Sequence, residues 1–344
     1  MRVRLAVAAL IALALATRGG VRPAAADCGL ARADAPCLEP WLDRGAALPL
    51  VASPPPPDHR LGAALGVGAL YAGFSTWAYL AWYRDVASLD EFGWGGDGWF
   101  GRNTYAGGAD KLGHAWATMV LARATTGVLR AGGYTRVPAA IAGSALSWGL
   151  FLAVEVKDGF YYRFSPGDLA MNTAGAVFAL VATTVPTVDR WLDFRVEYWP
   201  SDEYLGLWRG EYHGSKKGNS LNIAEDYSGE TYFLGVHLGA VPLPRATPAW
   251  LATGLAYVDV GVGFESRKYK PDAVPEAVPT QRVFVGVTLD LQHVLTRALA
   301  GRRSRLARAT RAMGVNVFEV LAPPFSIVPV AGPTRAASGP APEQ

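Results

Sequence analysis

The segment GGADKLGHAW, residues 107–116, sets an acid, a base and an imidazole close together at the head of an apolar run. Asp110 and His114 are four apart and so share one side of a helix, while Lys111 is turned about 100° aside. A second polar group follows in EVKDGFYYRFSPGDLAMNTAG, residues 155–175. Glu155 and Asp158 are neighbours at a spacing of three, Arg163 sits in the connection, and Asp168, Asn172 and Gly175 form one stripe. Several chemistries suit these residue types. A histidine oriented by Asp110, with Asp168 and Glu155 nearby, could transfer protons in the hydrolysis of a phosphate or lipid ester. The donors Asp110, His114, Glu155 and Asp168 could ligate a divalent metal, and one histidine with three carboxylates suits manganese or iron better than structural zinc. Lys111, Arg163 and protonated His114 could instead contact a phosphate, with Glu155, Asp158 and Asp168 orienting those cations. A charge network that only fixes helix packing is the remaining possibility.

Helix capping accounts for part of this pattern. Ser165, Pro166 and Asp168 have the types expected at an N-cap, a first position and a third position. Asp110 could cap its own helix. Glu155 is harder to explain that way, because it closes the apolar run GLFLAVE, where an unpaired carboxylate is costly and the helix dipole is unfavourable. It needs a cation, and His114, Lys111 and Arg163 are the candidates.

Four helices must carry these residues, over 61–83, 110–130, 138–156 and 166–185. The first is long enough to cross about 30 Å of hydrocarbon. From about residue 200 the period changes to two. TYFLGVHL aligns Tyr232, Leu234, Val236 and Leu238, YVDVGVGF aligns Val258, Val260, Val262 and Phe264, and RVFVGVTLDL aligns Val283, Val285 and Val287. Such alternation marks half-buried antiparallel strands, too few here for a complete outer-membrane barrel. TRALAGRRSRLARATRAMG then reads as a basic amphipathic helix suited to an anionic membrane surface. The expected fold class is α+β: a hydrophobic antiparallel four-helix bundle, a small antiparallel β region, and the basic helix.

Residues 1–26 have the charged start, apolar core and small residues of a secretory signal. Residues 27–60 form a leader with Cys28, Cys37 and the run SPPPPD, and export favours a Cys28–Cys37 disulfide. The helical domain covers 61–195 and the β region with its basic helix 196–330. The tail, 331–344, is expected to be disordered. The 344 residues are 51% hydrophobic and 18% charged, below the roughly 25% charge usual in soluble domains. A net charge of +3 gives no reason to expect nucleic acid as a partner. No Walker loop, CxxC pair or HExxH is present, and no cofactor is indicated.

DKLGH, then Glu155, then R-x-S-x-x-D-x-x-x-N-x-x-G resembles the YfiM-like family of uncharacterised bacterial envelope proteins and, more distantly, VanZ-like membrane proteins. The resemblance covers about residues 60–190, and the strands VGVGFESRKY and QRVFVGVTLDL also look YfiM-like. Its matching positions are Asp110, Lys111, His114, Glu155, Arg163, Ser165, Asp168, Asn172 and Gly175. Asp158 stands where many VanZ-like proteins have glutamine, and Asp27 before Cys28 departs from a lipobox. The resemblance implies an envelope location and a shared polar core, without supplying a reaction. The expected protein is therefore exported and membrane-associated, with the outer membrane favoured slightly over the inner. Its polar cluster would bind an anionic lipid head group or a lipid-linked envelope precursor in preference to performing catalysis.

Overall fold

Small residues at helix crossings decide how the helical half assembles. The structure is a computed structural model that describes residues 59–96, 98–209, 222–269, 278–302 and 304–337. The signal, the Cys28–Cys37 bridge and the proline run lie outside those residues. Helix α1 spans Arg60–Ala78 and runs on into a π-turn, Tyr79–Tyr83. Helices α2 (Ala109–Ala131), α3 (Arg136–Tyr161) and α4 (Pro166–Thr184) follow, joined by short connections. They pack on one another, with α1 against α2. A methyl group added at Gly143 of α3 would collide with the Ala122 carbonyl and the Thr126 side chain of α2. One added at Gly175 of α4 would collide with the Ala115 carbonyl. Both neighbours thus approach α2 to backbone contact.

A short helix α5 (Pro186–Trp191) leads directly into β1 (Leu192–Tyr198), which is followed by α6 (Asp202–Arg209). Next come β2 (Glu230–His237), α7 (Ala249–Leu255), β3 (Val258–Arg267) and β4 (Thr280–Leu289). The chain ends through α8 (Leu291–Ala298), α9 (Arg305–Phe318), β5 (Leu321–Ala322), β6 (Val328–Ala331) and β7 (Thr334–Ala336). All seven strands share one mixed sheet of order β5-β1-β2-β3-β4-β6, with β7 also on β4. Among the described strands, β1–β5 is the one parallel pair. Residues 321–331 join the two ends of this order, since β5 pairs with β1 and β6 with β4. The chain is therefore α+β.

Several expectations change. Strand β1 begins at Leu192, so a boundary at residue 195 cuts through it. Helix α3 continues to Tyr161, which places Glu155 inside the helix and carries Asp158 on it. The basic helix is two helices, α8 and α9, separated by a turn with Gly301 at φ 75°. Thr334–Ala336 of the expected disordered tail pair with β4, while residues 338–344 lie outside the described ones.

The valine-rich face of the sheet is only partly covered. Tyr232 and Phe264 pack with Tyr105 and Ala109 at the start of α2, yet Leu234, Val262, Val283 and Val285 on the same face are exposed. Phe233 and Phe284 fill the opposite face with Ala322 and Ile327.

Candidate functional site

The start of α2 is held by an unusual turn. Ala106, Gly107 and Gly108 all have positive φ, and the N-cap is Gly108, not Asp110. Left-handed backbone suits glycine and is strained for alanine. Gln281 of β4 secures the turn by donating its Nε2 to the carbonyls of Gly107 (2.8 Å) and Phe100 (2.7 Å). Asp110 and Lys111 therefore enter the helix in its first turn, where the dipole favours the carboxylate. At the start of α4, Ser165 caps the helix by accepting from the Asp168 N–H at 3.2 Å, as its sequence implies.

The two helix starts and the side of α3 meet in one buried polar cluster. Lys111 Nζ lies 2.6 Å from Asp168 Oδ1 and 3.1 Å from Asp110 Oδ2. His114 Nε2 is 3.6 Å from Asp110 Oδ1 and 3.9 Å from Asp168 Oδ1. Its Nδ1 is 3.3 Å from Glu155 Oε1 and 3.2 Å from Asn172 Oδ1. Asn172 donates to Glu155 Oε1 at 3.0 Å and accepts from Thr118 Oγ1 at 2.8 Å. The side chains of Lys111 and Glu155 are 1% exposed, whereas that of His114 is 19% exposed, which makes the imidazole the member turned toward solvent.

Two predicted members sit elsewhere. Asp158 points to the neighbouring Tyr83, whose hydroxyl donates to its Oδ1 at 2.6 Å. Arg163 is exposed, and its aliphatic stem covers Gly93 and Gly95. Glu155 finds its partners in His114 and Asn172. Tyr227 was not foreseen: it donates to Asp110 Oδ1 at 2.5 Å from a short turn before β2. Nothing local in EDYSGE marks that role, which arises only when the sheet packs on α2.

Burial and charge compete throughout the cluster. Burial alone would lower the pKa of His114, but Asp168, Asp110 and Glu155 outweigh it and lift the value to about 9. For Asp110, burial pushes upward and is overcome by His114 and Lys111, leaving a pKa of about 2. Burial prevails at Glu155 against the pull of His114, and the pKa rises to about 8. It also raises Asp158 to about 6. Near neutral pH the cluster thus holds a cationic imidazole and a protonated Glu155 beside an ionised Asp110.

A second buried cluster lies on the sheet. His237 Nδ1 is 2.7 Å from Asp259 Oδ1 and 3.3 Å from Asp290 Oδ2, and its Nε2 is 3.0 Å from Asp193 Oδ2. Arg195 pairs with both Asp193 and Asp259, and Gln292 donates to Asp193. These groups tie β1, β2 and β3 to the head of α8. The sequence did carry a signal for them, since Asp193, Arg195, His237 and Asp259 alternate with the apolar residues of their strands.

Among the described residues, two sets of donors are close enough to share an ion: Asp110, His114 and Asp168, and His237, Asp259 and Asp290, each with its ligand atoms within 4.8 Å of one another. The second set is fully buried and already engaged by Arg195. Of these two, the first alone has a partly exposed member.

Residues 96–184 match a family model described as "Predicted periplasmic lipoprotein (DUF2279)". The matched segment contains α2, α3, α4 and every residue of the first cluster except Tyr227. It starts well after Cys28, so it does not bear on the leader. The match supports an exported, envelope-associated protein of an uncharacterised kind. No curated protein and no solved structure matches the chain.

Proposed function

We propose that this is a membrane-associated envelope protein whose α2–α3–α4 cluster is a divalent-cation site, with Asp110, His114 and Asp168 as the ligands. One observation carries the reading: these donors, contributed by two helix starts, lie within 4.8 Å of one another, with the imidazole the most exposed of the three. Two carboxylates and one imidazole suit a borderline or hard cation such as manganese or iron. Glu155 and Asn172 contact the other imidazole nitrogen and orient the ring, as outer-shell partners of a metal-bound histidine do. Tyr227 does the same for Asp110. An anionic head group is supported less well, because Lys111 is enclosed by two carboxylates and Arg163 points elsewhere.

Lys111 favours a second reading. Its ammonium already pairs with both Asp110 and Asp168, which would make the cluster a fixed clamp between α2 and α4. Metal analysis of protein purified without chelator, followed by calorimetric titration of chelator-treated protein with Mn²⁺, separates the two. A cation site gives about one ion per chain, with binding lost in His114→Ala and Asp168→Asn. A clamp gives no ion and no binding heat, while Lys111→Met lowers the melting temperature.

A further inference from the structure

Helix α3 presents a stripe to its surroundings that lacks any charge. Val137, Ile141, Leu146, Val156 and Phe160 are exposed along it, and the small residues Ala145, Gly149 and Ala153 fill the spaces between. Water-facing helix stripes are normally polar, because a surface helix buries its apolar side. Helix α4 adds the exposed Val177 and Val181, and α1 adds Leu61 and Leu65. All three helices pack on α2, which is itself mostly buried, and their outward sides make up the apolar flank.

Three polar side chains on this flank bond within the protein. Thr76 Oγ1 donates to the Ala72 carbonyl at 2.8 Å, and Thr173 Oγ1 to that of Leu169 at 2.8 Å. Trp148 Nε1 in turn donates to Thr173 Oγ1 at 2.9 Å. In hydrocarbon every donor must find an internal acceptor, and these three have one.

Cations and aromatic rings mark both ends of the flank. At one end the Arg60 guanidinium lies 5.2 Å from the Tyr134 ring, and Arg136 at the start of α3 donates to the Thr183 carbonyl at the end of α4. At the other, Lys157 Nζ lies 4.0 Å from the ring of Tyr83, 5.0 Å from Tyr79 and 5.5 Å from Tyr161. Arg136 and Lys157 are separated by about 30 Å of helix at 1.5 Å per residue. Tyrosine with lysine or arginine is the usual composition at head-group level, where one end of the side chain is apolar and the other polar.

We infer that this flank of α1, α3 and α4 is seated in the acyl chains of a phospholipid bilayer, with Arg60, Arg136 and Lys157 at the phosphates around it. The other side of α2 is covered by protein. Trp116 donates to the Val320 carbonyl at 2.8 Å, and Arg123 pairs with Asp189 and Glu319, so lipid meets the helices from one side only. The inference rests on the membrane-associated reading and is independent of the cation site.

Flotation of the purified full chain with vesicles of phosphatidylethanolamine and phosphatidylglycerol tests it. Ile141→Glu combined with Val177→Glu should lower the floated fraction about tenfold, the order expected for charging a membrane-inserted apolar face. The melting temperature in detergent should stay near that of the parent, because both side chains are exposed. Ile141→Ser is the milder second variant and should give an intermediate loss. Leu306→Glu on the basic helix α9 should float like the parent. If Leu306→Glu abolishes flotation and the double variant does not, the protein is membrane-associated through α9 and the inference fails alone. If no variant changes flotation, the flank is not the lipid contact. If the parent does not float and sediments as an oligomer that the double variant dissolves, the flank is a self-interface, and both the inference and the membrane-associated reading fall.

Discussion

At the scale of single residues, the cluster shows how proton affinity follows from who stands next to whom. The elevated values at His114 and Glu155 both mean that the folded state holds protons more tightly than the unfolded chain. The contribution of His114 is complete below its unfolded value of about 6.5 and is lost as pH rises through about 9. That of Glu155 is complete below about 4.5 and is lost by about 8. Asp110 acts oppositely, its contribution being lost as pH falls through about 2. Metal-free protein should therefore melt at a clearly lower temperature at pH 9 than at pH 6, and His114→Gln should reduce that difference. A flat melting profile over this interval would contradict the assignment. The sequence made Asp110, Lys111, His114, Asp168 and Asn172 legible because helical spacing and neighbouring helix starts restrict where they can point. It misled for Arg163, which lies in a connection where spacing says nothing about direction. Tyr227 was out of reach, being 117 positions from Asp110 in the chain.

At the scale of elements, the helices were legible to within a few residues because each is a long apolar run closed by glycine, proline or polar residues. The exception is the end of α3, expected at residue 156 and found at Tyr161. The helix continues because Lys157 is held over tyrosine rings and Asp158 by Tyr83, so both polar groups have partners within it. In the sheet, following only the valines identified the strands but hid the face that matters. The alternate positions hold Asp193, Arg195, His237 and Asp259, whose charges are mutually compensated and so can be buried. Position 175 carries the sharpest prediction at this scale. Gly175→Val places branched carbon atoms against the Ala115 carbonyl and must push α4 away from α2. Overpacking of this kind typically destabilises by about 1–3 kcal/mol. The displacement should also separate Asp168 from Lys111. Chemical denaturation measures the first effect and Mn²⁺ titration the second, with both expected to weaken together.

At the scale of the whole molecule, the C-terminal residues hold a position that their modest length conceals. Residues 321–331 touch both ends of the strand order, covering the outer edge of β1 and the outer edge of β4. Unpaired strand edges invite association with other chains. A chain truncated after Val320 should accordingly keep the α2–α4 contacts but aggregate through β1 and β4, which light scattering during refolding would register. The same feature sets an order of events for an exported polypeptide. Threaded across a membrane from its amino end, the chain delivers its helices first and the closing segment last. The sheet therefore lacks the cover of both its outer edges until residues 321–331 have crossed.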